Sequence, residues 1–293
     1  MNTTLTPPPL PPQAPPPSPP TPPASGPAPT PTGSSGAAKV VSILTIALGG
    51  VLLVGAAGSA VLSTVAAASV RTSSQAVAVG EAAILDADVA AGSLRVEFAD
   101  VSQAELDVTR PWGWGEWTLE TRGDTLVVAS PEIDFAGGWW TGGAGDAVLR
   151  LPESFAGSDV DLTLSAGSIE VDGDFREVAL GVSAGEARVS GSADALEVEV
   201  SAGGAVLDLA DVRVADLQVS AGSIEGELTG DQPDALVLDV SAGSLRLTVP
   251  DGRYDVDAEV SAGDFDSRLD ESPGAQSTVE ASLSAGEIVL RSR

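Results

Sequence analysis

From about residue 85 onward, apolar and polar positions alternate in short runs, and the alternation changes phase at a recurring tripeptide. Ser-Ala-Gly places its glycine at Gly167, Gly185, Gly203, Gly222, Gly243, Gly263 and Gly286, and Ala90-Ala91-Gly92 is a divergent copy. Three residues before each glycine stands an aliphatic side chain: Val89, Leu164, Val182, Val200, Val219, Val240, Val260 and Leu283. Five before, the series runs Leu162, Leu180, Val198, Leu217 and Leu238, weakening to Ala258 and Ala281. Two after, it includes Leu94, Ile169, Ile224, Leu245, Phe265 and Ile288; four after, only Gly226 and Ser267 break the apolar rule. Period-two alternation of this kind predicts strands with one face in a core.

Inward positions are odd offsets before the glycine and even offsets after it. A continuous strand cannot do this, because a one-residue slip sends every side chain to the other face. Each tripeptide is therefore expected to be a bulge or corner that resets the phase, with glycine accepting positive φ and alanine fitting a tight bend. Corners about 20 residues apart fall in the range of stacked repeats. The fold expected is all-β, a β-solenoid or β-helix-like stack of Ser-Ala-Gly rungs; an antiparallel meander with a bulge in each arm is the alternative.

Residues 93–153 interrupt this period, and 154–293 keep it. All the tryptophans, Trp112, Trp114, Trp117, Trp139 and Trp140, fall in the interruption, in glycine-rich surroundings that read as loops or strand ends. One reading makes them a cap on the open end of the stack; the other makes them an exposed patch for a glycan, lipid or protein partner.

Two segments precede the repeat domain (85–293). Residues 1–38 hold most of the prolines and no acidic residue, a composition that cannot offset its ordering entropy and reads as a disordered spacer. Between Lys39 and Arg71 runs an uncharged apolar stretch (40–70, most hydrophobic over 40–62), long enough for a transmembrane helix of ~20 residues within the segment 39–70. Its length and the leader before it favour an uncleaved anchor over a signal peptide. Lys39 and Arg71 balance, so orientation rests on size: the short tail cytoplasmic, and the large domain outside after a linker, 71–84.

The net charge is −28, and every acidic residue lies after Arg71. Such a domain repels nucleic acid and anionic headgroups, leaving envelope glycans, proteins, cationic peptides or divalent ions as partners. With no cysteine or histidine there can be no disulfide, thiolate or imidazole chemistry, and no cofactor is expected. The Asp-x-Asp pairs, among them Asp86/Asp88 and Asp172/Asp174, lack calcium-loop spacing and read as solvated charge. Glycosidic cleavage could run on carboxylates alone, and Glu116, Glu132 and Asp134 stand where the repeat is broken. No pair stands out, so the chain reads as a non-enzyme.

The stretch Val148-Leu-Arg-Leu-Pro-Glu153, the run Val160–Leu164, Ser165-Ala-Gly-Ser-Ile-Glu-Val171 and the rungs that follow resemble the bacterial putative-adhesin family of unknown function with β-strand repeats. The resemblance covers about residues 85–293. It implies a surface-facing β-solenoid-like domain tied to the envelope, and it transfers no catalytic residues. Together these readings point to a membrane-anchored extracytoplasmic scaffold or binding module, an adhesin or envelope-stress component.

Overall fold

The computed structural model describes residues 71–110, 115–131 and 145–293. The proline-rich tail and the apolar run assigned to the membrane lie outside the described residues. Among the described residues no helix is long and apolar enough to cross a membrane.

All the longer elements are strands, joined in one mixed sheet of 17. In chain order they are β1 (Arg71–Val77), β2 (Ile84–Val89), β3 (Ser93–Ala99), β4 (Ala104–Arg110), β5 (Thr118–Arg122), β6 (Thr125–Ala129), β7 (Asp146–Pro152), β8 (Asp159–Leu164) and β9 (Ser168–Val182). They continue as β10 (Glu186–Ala210), β11 (Val214–Thr229), β12 (Ala235–Val249), β13 (Arg253–Val260), β14 (Asp264–Arg268), β15 (Asp270–Glu271), β16 (Ser277–Leu283) and β17 (Gly286–Ser292).

Neighbouring repeats pair in parallel, equal offset against equal offset: Val200 with Val219, Gly203 with Gly222, Val219 with Val240, Gly222 with Gly243. This excludes the meander, whose neighbours would be antiparallel. The pairing runs on past the tripeptide within β10, β11 and β12, so the corner bends the ladder without ending it. Apart from Ala258 and Val260, which are exposed, and the half-buried Phe265, the inward columns named from sequence are the core: Val89, Leu164, Val200 and Val240 are each 0% exposed. Fully burying each such side chain is worth roughly 1.5–3 kcal/mol, which is what holds the stack together without disulfides.

The rungs are not stacked in chain order. At one end β6 and β7 pair in parallel with the outer sides of β2 and β3, whose other sides meet β8 and β9. The rung made later in the chain thus lies outside the earlier one. At the other end β16 and β17 pair with β12 on one side and with β13 and β14 on the other. The final rung is therefore inserted between its two predecessors.

The two ends also finish differently. Beyond the β6–β7 rung, β5 pairs antiparallel with β6, β4 with β7 and β1 with β4. The Gln75 side chain joins β1 to β5, and Trp117, just before β5, is buried there (2% exposed). At the far end, among the described residues, only the start of β13 is covered on its outer side, by β15. Val260 is 44% exposed, whereas its ladder partner Leu283 is 1% exposed.

Candidate functional site

The corner glycines form a line along the stack. A Cβ on Gly167 would lie 2.0 Å from the Gly92 carbonyl oxygen, and one on Gly185 would lie 2.3 Å from that of Gly167. The same contact repeats for Gly203, Gly222, Gly243, Gly286 and Gly263, in spatial order. Left-handed backbone accounts for only part of the requirement: Gly167 has φ of 107°, but Gly222 and Gly243 do not adopt positive φ. What the seven Ser-Ala-Gly corners share is the close approach of one rung's backbone to the next, which leaves no room for a Cβ. These residues are structural.

Of the five tryptophans, Trp117 belongs to the core, not to an exposed face. Trp112, Trp114, Trp139 and Trp140 lie outside the described residues, as do Glu132 and Asp134. The flanks of both segments are described, and they converge. A Cβ on Gly145 would lie 2.8 Å from the Arg110 Cβ, and one on Gly115 would lie 2.4 Å from the Pro131 Cβ. The described flanks of the two tryptophan-bearing segments therefore meet in pairs, Arg110 with Gly145 and Gly115 with Pro131.

That point is itself a corner. Asp146 is in register with Ser93, and the Ser93 N–H donates to the Gly145 carbonyl at 3.1 Å, so Gly145 holds in its rung the place Gly92 holds in the next. On the other side of the corner, the Ser130 hydroxyl accepts the Ala90 N–H at 2.8 Å. Where other rungs have Ser-Ala-Gly, this one has the interposed sequence that carries Trp139 and Trp140. The signal was present as Ala147, Leu149 and Leu151 at even offsets after Gly145, but the missing tripeptide concealed it.

Glu116, the one described member of the carboxylate trio, is 81% exposed and ion-paired with Arg110 at 3.1 Å. Asp86 is half-buried on β2. Burial first, then the carboxylates of Asp161 on β8 and Asp88, push its pKa above the usual aspartate value. Asp107 on β4 is held below the usual value, first by the Ser74 hydroxyl and then by Arg150. No group of acids among the described residues is arranged to hold a metal ion.

Two open depressions lie over the post-corner strands. One, of about 430 Å³, surrounds Gly226, where Leu247 fills the space a side chain would take. The other, of about 400 Å³, has Glu97, Glu153, Asp172 and Asp174 around Phe98.

No family model matches the sequence, and no curated protein matches it. Among solved structures the chain is similar to a putative cell adhesion protein from Clostridium sporogenes, with a TM-score of 0.37 and 13% identity over 76% of this chain and 100% of that chain. It is also similar to a putative adhesin from Bacteroides fragilis, with a TM-score of 0.41 and 12% identity over 75% of this chain and 97% of that one. A putative adhesin from Parabacteroides distasonis gives a TM-score of 0.40 and 12% identity over the same shares, 75% and 97%.

Proposed function

We propose that the chain is a non-enzymatic surface protein of the bacterial envelope, a β-solenoid held outside the membrane by the apolar segment 39–70 and acting as scaffold and binding module. The proline-rich tail, 1–38, stays on the cytoplasmic side. Trp112, Trp114, Trp139 and Trp140 form its contact patch for an envelope glycan or protein. The observation that supports this reading is the convergence of Arg110 on Gly145 and of Gly115 on Pro131, the described flanks of the two tryptophan-bearing stretches. Aromatic side chains supply large contact area at low entropic cost, as binding surfaces require.

The test is protease shaving of intact cells with an epitope tag after Arg293. Loss of the tag without lysis supports display outside the membrane. Protection until lysis, in cells whose tag is cleaved once opened, refutes it.

A second reading is favoured by the charge pattern. The strands entering the corners carry Asp161, Glu197, Glu199, Asp216, Asp239 and Glu280 at outward positions, and from β8 through β12 these entering stretches contain no basic residue. Such a face suits a polycation. Binding of polylysine that persists unchanged at high salt would count against it.

A further inference from the structure

The end of the stack formed by β13 and β14 is unfinished in three independent respects. The Tyr254 carbonyl accepts the Ser272 N–H at 2.8 Å on the side away from β16, where β15 also pairs. By the alternation of a parallel ladder, the N–H and C=O groups of Val256, Ala258 and Val260 point the same way. Among the described residues no strand receives them, and none receives the outer side of β14. Secondly, the side chains that line the interior elsewhere are uncovered here: Ala258 and Val260 are exposed and Phe265 is half-exposed, against 6%, 1% and 0% for their ladder partners Ala281, Leu283 and Ile288. Thirdly, the Ser267 hydroxyl is enclosed without a hydrogen-bond partner, in the column where the preceding rung has Leu290.

The residues between the apolar ones select what can complete this edge. Asp257 and Glu259 have no ion-pair partner among the described residues, whereas Asp255 accepts the Gly274 N–H at 2.9 Å and Asp266 pairs with Arg268 at 3.0 Å. A second copy adding by the same edge would set acid against acid, which is how natural edges resist self-pairing. A strand with lysine or arginine beside Asp257 and Glu259, and apolar residues between, satisfies backbone, side chains and charge together.

We infer that the β13 edge is a strand-addition site for an extended segment of another protein in which basic and apolar residues alternate. This deepens the binding-module reading and rests on it only for the existence of a partner.

The test uses the full-length chain in detergent micelles and a labelled hexapeptide of alternating valine and lysine, with its block isomer (three valines, then three lysines) as control. Fluorescence anisotropy is expected to give an affinity for the alternating peptide about tenfold or more above the block isomer. Ala258→Pro removes an outward N–H that no bond among the described residues uses and should abolish that preference. Asp257→Lys with Glu259→Lys should do so through charge, and keeps the test decisive if the proline variant does not fold. Equal binding of the two isomers would leave the acidic face as a polycation surface and overturn the edge. Undiminished preference in both variants, or no binding of either peptide, would overturn it as well. Concentration-dependent dimerisation abolished by Ala258→Pro would name a second copy as occupant instead.

Discussion

Gln75 donates from Nε2 to the Trp117 carbonyl at 2.6 Å and accepts the Leu119 N–H at its Oε1 at 3.3 Å, so one carboxamide serves two backbone groups on an adjoining chain segment. β1 and β5 belong to different ladders, and this side chain ties them together where the stack begins. A buried backbone group left unpaired costs about 1–3 kcal/mol. Gln75→Ala is expected to lower stability by an amount in that range. Denaturant unfolding followed by circular dichroism would measure it, with the midpoint falling and the slope unchanged.

The corner line predicts a sharp contrast between two glycines. Both Gly167 and Gly157 have positive φ, but a Cβ on Gly157 meets nothing within 4 Å, while one on Gly167 would lie 2.0 Å from the Gly92 oxygen. Gly157→Ala should cost only the left-handed penalty of ~1–2 kcal/mol. Gly167→Ala must also force two rungs apart and should exceed ~4 kcal/mol. Equal losses in calorimetry would show that backbone conformation, and not rung spacing, sets the requirement.

Asp86 works against the fold. Its folded-state pKa is raised, chiefly by burial, so stability falls as pH rises through the carboxylate range. Asp86→Asn should therefore raise Tm at neutral pH, with the gain shrinking as the pH drops below the folded-state pKa. A gain that is constant with pH would assign the effect to something other than charge.

Tyr254 is the single tyrosine, fully buried, with its hydroxyl donating to the Pro250 carbonyl at 2.8 Å. Burial, with the Asp251 carboxylate second, pushes the phenol up to about 12. Its stabilising share is complete below the ordinary tyrosine value of about 10 and is lost as pH rises through the folded value. Tyrosinate absorbance should rise near pH 12 in the native protein and near pH ~10 once it is unfolded. A native midpoint at the ordinary value would show Tyr254 open to solvent.

The inward columns and the corners were legible in the sequence because side-chain alternation and close backbone approach are local demands that particular residues must meet. Val89 through Val240, and Leu283, could be assigned to the core from spacing alone, whereas Val260 obeys the same spacing and is exposed because its rung ends the described stack. The Gly145 rung was not legible, because its corner is replaced by interposed sequence and only the even-offset run Ala147, Leu149, Leu151 survives. Rung order was not legible either. Leu283 and Val260 satisfy the same inward rule, so by spacing either could stack on Val240; Leu283 takes that place and Val260 lies beyond it. At the candidate site, the sequence marked the tryptophan segments but could not tell that Trp117 is core, since a buried and an exposed indole look alike between glycines.

Gly286 stacks between Gly243 and Gly263, and this has a consequence for synthesis. A chain emerging from the ribosome cannot lay its rungs down one upon the last, because β13 and β14 are released before the segment that must separate them from β12. Until β16 and β17 emerge, the seat of Leu283 against Val240 stands empty or is taken by Val260, which must then give way. The rung of β16 and β17 therefore has to enter between two rungs that precede it in the chain.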